Sequence, residues 1–167
     1  MLFRMNRVDV IREIESAFTS VALEDGIGIL EGEAIHNGVI DHDRENARKT
    51  DFRQRWQDIP DEVIENHATA LCYMDAKGLR FNLPAYMRFA LLHYDDRSSD
   101  CFDWTIYAVS KEQHDLDHEW AIFSETQKMA IAKFLRYLVV EAGDWVDSQQ
   151  ASYTYERLWK TYDQLGT

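Results

Sequence analysis

His114-Asp-Leu-Asp-His118 is the one stretch of this chain where metal-ligating side chains recur at a useful spacing. On a helix, histidines at i and i+4 share a face and can hold zinc or another divalent ion. The zinc-protease form of the motif needs Glu directly after the first His, and Asp115 stands there instead. Asp117 and Glu119 add carboxylates, but no third ligand is identifiable, and a polar surface turn accounts for the same residues. His36 with Asp41-His-Asp43 is a weaker cluster of the same kind. Cys72 and Cys101 form no C-x-x-C pair, and two thiols alone do not complete a four-ligand zinc site. Cys72 lies in the apolar stretch Ala68–Met74, where a buried, inert thiol is expected. There is no G-x-S-x-G, no P-loop and no dinucleotide glycine fingerprint. The expectation is a chain with no cofactor and no assigned catalytic residue, with His114 and His118 as weak metal candidates.

His114-Asp115 also matches the His-Asp pair of the all-helical metal phosphohydrolases, which need a further His upstream and an Asp downstream. His93 and Asp144 fill those places, yet a chain this rich in His and Asp offers some match by composition alone.

The carboxylates are better placed to create a field than to run a reaction. Formal net charge is −12, and Asp95–Glu119 contributes half of it: eight acids against Arg97 and Lys111. His67–Tyr94, by contrast, sets Lys77, Arg80 and Arg88 against Asp75. Nucleic acid demands basic surface for counterion release, and anionic membranes demand the same, so both partners are disfavoured. A basic protein would be attracted and steered, although many proteins are acidic for solubility alone. Phe102, Trp104, Tyr107 and Trp120 interleave with these acids. Aromatic anchors ringed by charge build interfaces; an acidic loop with its aromatics turned inward would show the same pattern. Asp95, Asp96, Asp100, Asp103, Trp104, Asp115, Asp117 and Glu119 form the expected partner-binding set.

The elements that must position these groups read as helices. A chain of 167 residues with 46% hydrophobic content suits one domain with a proper core, 1–167. Two prolines and seven glycines are too few for the turns of an all-β fold. Asn6 caps a first helix, about Arg7–Phe18. Ser20–Asn37 is glycine-rich and reads as loop, with at most a short hairpin at Ile27–Leu30. Asp41–Gln57 reads as a solvated helix with internal ion pairs, pinned by Phe52 and Trp56. Pro60 starts a helix that runs to about His67. A short helix at Asp75–Arg80, loosened by Gly78, precedes an almost wholly apolar one from Asn82 or Leu83 to Tyr94, with Pro84 in its first turn. Trp104–Val109 is the one strand candidate. Ser124 and Gln127 make a capping box for a helix ending near Ala142, and a last helix spans about Asp147–Leu165. The expected core is Leu83–Tyr94 against Gln127–Val140, wrapped by the first and last helices. The start of the chain has no apolar signal region and no run is long enough to span a bilayer, so a soluble, cytoplasmic protein is expected.

Four segments occur in a recognisable order: Trp56-x-Asp-Ile-Pro60, Leu79-Arg-Phe-x-Leu-Pro-Ala-Tyr-Met87, Phe123-Ser-x-x-Gln127 and Phe134-Leu-x-Tyr-Leu138. Over about Val8–Glu141 the chain resembles a family of small bacterial domains of unknown function. The resemblance implies a helical domain in a bacterial cytoplasm and brings no reaction with it. The charged stretch Asp41–Arg55 and the helix after Gly143 depart from the family pattern. The motif residues Trp56, Pro60, Arg80, Phe81, Leu83, Pro84, Tyr86, Phe134 and Leu138 fit core and helix-start roles, with Arg80 an anchor for a carboxylate or for backbone carbonyls.

The sequence thus leads to a single, mainly α domain of five to six helices. Its expected role is a non-catalytic acidic module that binds a basic protein, of the immunity or antitoxin type. A metal-dependent hydrolase using His114 and His118 is the alternative from another class. A homo-oligomer joined through the aromatic C-terminal helix is the third.

Overall fold

The computed structural model describes residues 5–96, 99–111 and 119–164. Among the described residues there are eight helices and no strand, so the fold is mainly α but richer in helices than five to six. No helix among them is long and apolar enough to cross a membrane.

Local signals set several helix ends. Asn6 Oδ1 accepts the Val8 N–H at 3.1 Å and starts α1 (Arg7–Ala17). Pro60 precedes α4 (Asp61–Asn66) and places Asp61 and Glu62 at its positive end. In α7 (Glu125–Tyr137) the Gln127 N–H donates to Ser124 Oγ and the Ser124 N–H to Gln127 Oε1, the reciprocal capping box.

Other elements differ from expectation, each for a tertiary reason. The segment read as loop or hairpin forms α2 (Ile29–His36), because its cap comes from afar: the Asp51 carboxylate accepts the Leu30 and Glu31 N–H groups. α3 (Asp41–Thr50) carries the charged run, but Arg44 and Arg48 pair with Glu31 of α2; Lys49–Glu45 is an ion pair within the helix itself. The two helices expected around Gly78 and Pro84 are one, α5 (Ala76–His93). Asp75 caps it through the Gly78 N–H at 2.8 Å. Gly78 does not loosen the helix; it admits the Ile27 carbonyl so closely that a Cβ would lie 2.1 Å from it. Pro84 sits mid-helix, depriving the Arg80 carbonyl of its usual donor, and burial around Leu83–Met87 outweighs that loss. The strand candidate is α6 (Cys101–Ala108). Cys101, Phe102, Thr105, Ile106 and Ala108 are buried at helical spacing, and Phe102 stacks on Phe89 of α5, so packing overrides local β-propensity.

The expected core pairing is also revised. α1 packs on both α5 and α7, and α7 lies mainly between α1 and the last helix rather than against α5. α5 reaches α7 where the Tyr94 and Tyr137 hydroxyls meet at 3.3 Å. After α7 a π-helical turn, Leu138–Ala142, runs to Gly143. α8 then lies along α7: it begins at Ser148–Thr154, passes through a π turn at Tyr155–Trp159 and ends at Lys160–Asp163. Its aromatics divide: Trp159 is buried, edge-on to Trp120 and donating to the Val109 carbonyl at 2.8 Å, whereas Tyr153 is exposed. The buried cluster also takes in Trp56, Phe81, Leu83, Tyr86, Phe134 and Leu138.

Candidate protein-binding surface

Three helix ends converge on one groove. It opens where α5 stops, α6 starts and α7 hands over to α8, with a volume of about 420 Å³. Asp95, Asp96, Ser99, Asp100, Phe102, Asp103, Asp144 and Trp145 line it. Asp100 and Asp103 stand at the N-terminus of α6, where the helix dipole favours a carboxylate. Asp95 and Asp96 follow the C-terminus of α5, and Asp144 follows that of the α7 run. Those are the negative ends, where a carboxylate is unfavourable. Trp145 is 59% exposed beside them, unusual for so large an apolar ring.

The carboxylates differ in what already engages them. Asp95 Oδ2 accepts from Arg7 Nη2 at 2.5 Å, and this hydrogen bond holds its carboxyl below the usual range. Arg7 is fixed in turn by the Tyr94 ring and hydroxyl. Asp96 Oδ1 lies 3.4 Å from Nδ1 of His93, whose Nε2 meets Asp61 at 2.8 Å. Asp103 accepts the Asp147 N–H at 2.7 Å and so ties α6 to the start of α8. Among the described residues neither Asp100 nor Asp144 has a cationic partner. The groove therefore gathers carboxylates beside an apolar ring, a surface suited to a Lys or Arg side chain.

The expected partner-binding residues divide. Asp95, Asp96, Asp100 and Asp103 come together in the groove. Trp104 is half-buried and edge-on to Tyr107, outside the lining. Phe102 and Trp120 are turned into the core, with Phe102 reaching the groove only at its floor, so neither is an exposed anchor. Glu119 is taken by Lys111 at 2.9 Å. Asp115, Asp117, His114 and His118 lie outside the described residues. Asp144 and Trp145 were not in the expected set. The signal that could have found them is Gly143-Asp-Trp145, a turn that ends a helix and presents an aromatic ring.

Other chemistry has less to stand on. Among the described residues no three His, Cys, Asp or Glu side chains are arranged to hold a metal ion. Burial pushes the Cys101 thiol up to about 12 and raises Cys72 as well, which makes both poor nucleophiles. Arg80 donates to the Ile122 carbonyl at 3.0 Å and approaches Glu24 at 3.5 Å, the geometry of an internal anchor.

Fold and surface together define a class: an all-helical, acidic protein whose helix ends gather carboxylates around an exposed tryptophan. The chain belongs to the family of unknown function DUF6714, whose match spans residues 6–164. That span takes in α8 and the charged α3, both of which the sequence motifs had set apart from the family pattern. No curated protein and no solved structure matches it.

Proposed function

We propose that the protein is a non-catalytic binding module that captures a basic protein partner, of the immunity or antitoxin type. One observation carries the reading: Asp95, Asp96, Asp100, Asp103 and Asp144 surround a single groove with Trp145 exposed at its edge. The carboxylates steer a basic surface into encounter. Trp145 then supplies the desolvated contact on which affinity depends, receiving a guanidinium or ammonium group on its face. Asp96 and Asp144 stand at unfavourable helix ends with no Lys or Arg partner among the described residues, so stability alone does not account for them.

The test is capture of partners by the tagged protein from its native host, at low and moderate salt, read by quantitative mass spectrometry. One basic protein held stoichiometrically is the expected result, lost in an Asp100→Lys, Asp144→Lys variant and weakened about tenfold or more in Trp145→Ala. A partner retained equally by both variants would overturn this mechanism.

A further inference from the structure

We infer that α3 is a strap latched to the body by a buried carboxylate, and that it opens as a unit while the rest of the fold stays closed. The inference is independent of the groove. None of the residues of α3 is buried, and Ala47 is the one apolar side chain in DHDRENARKT. A helix of this length with no buried face does not persist on its own. What holds it is Glu31 of α2, whose side chain is 3% exposed. Glu31 accepts from Arg44 Nε at 3.1 Å and from Arg48 Nη1 at 2.7 Å. Arg48 also donates through Nη2 to the Asp25 carbonyl at 2.5 Å.

The two ends of the strap are unlike. At its start, Gly38 just before it and its first residue Asp41 both have left-handed backbone, with φ of 69° and 55°. After it, Asp51 is fixed by the Leu30 and Glu31 N–H groups, and Phe52 packs on the core. Motion is therefore confined to the stretch between Gly38 and Asp51. Removing the arginines from Glu31 leaves a buried carboxylate that must be hydrated, so the latch has closed and open states with little between them. Once it opens, no apolar contact is left to keep α3 helical, and release and unfolding become one event.

Hydrogen exchange read by mass spectrometry on the full chain tests this. In the wild type, amides of 41–50 should exchange together and about a hundredfold faster than those of α5 and α7. Glu31→Gln and Arg48→Ala should each raise exchange in 41–50 by about a further tenfold, leaving α5 and α7 unchanged. Arg44→Ala, which keeps Glu31 and Arg48 in place and so spares α2, should give a smaller increase of the same sign. Exchange of 41–50 in step with α5, or variants that change the whole chain equally or leave 41–50 untouched, would overturn the proposal.

Discussion

Asp51 reaches from beyond the end of α3 to accept the Leu30 and Glu31 N–H groups at 2.7 and 3.1 Å, supplying the cap that Gly28 has no side chain to make. Gly28 must be glycine for this to work, because a Cβ there would sit 2.3 Å from the Asp51 carboxyl carbon. Burial raises the Asp51 pKa, outweighing the two N–H donors that lower it. The sign follows. A carboxyl whose folded pKa is raised stabilises the fold most when protonated, below its unfolded value near 3.8, and that contribution is lost as pH rises through the folded value. Asp51→Ala should therefore cost about 1–2 kcal/mol through loss of the cap. Asp51→Asn, which keeps an acceptor and never ionises, should cost less. The wild-type advantage over Asn should be largest at and below about pH 3.8 and narrow as pH rises above it. Urea midpoints across that range check it, and an advantage that grew with pH would show that the N–H donors win.

At the level of elements, Gly143 decides where α7 ends and how α8 returns. Its φ of 48° and ψ of −118° suit glycine, while an added Cβ would meet nothing within 4 Å. The cost of Gly143→Ala is thus backbone strain without a clash, about 1–3 kcal/mol, read as a lowered urea midpoint. A loss below about 0.5 kcal/mol would mean that the turn relaxes freely. Elements of this kind were legible in the sequence: the Asn6 cap, the Pro60 start, the Ser124–Gln127 box and the stop at Gly143 are written in neighbouring residues. α2 and α6 were not. The cap of α2 comes from Asp51, and WTIYAV becomes helical because Phe102 and Ile106 have α5 to pack against. The groove was half legible for the same reason. Asp95–Asp103 is one acidic run, but Asp144 and Trp145 join it only when the α7–α8 turn folds back onto α6.

For the molecule as a whole, a charge of −12 imposes self-repulsion that folding must overcome. Much of the acidity is absorbed by ion pairs that tie elements together, such as Arg7–Asp95, Lys133–Glu13 and Arg136–Asp163. Asp96 and Asp144 are different. Each sits at the negative end of a helix, on a groove crowded with like charge, and no Lys or Arg among the described residues pairs with either. Neutralising both in Asp96→Asn, Asp144→Asn relieves two unfavourable dipole contacts, each worth about 0.3–1 kcal/mol at low ionic strength. Against this, among the described residues, stands the partly exposed contact between Asp96 and His93, a weak interaction. The double variant should therefore keep or raise the wild-type urea midpoint, while its association with the proposed basic partner slows and becomes less sensitive to salt. Stability and association must be measured on the same preparation. A loss of more than about 1 kcal/mol of stability would make these carboxylates structural. Unaltered stability with an unaltered association rate would leave the groove without a steering role. Stability held while association slows is what separates charge placed for a partner from charge placed for the fold.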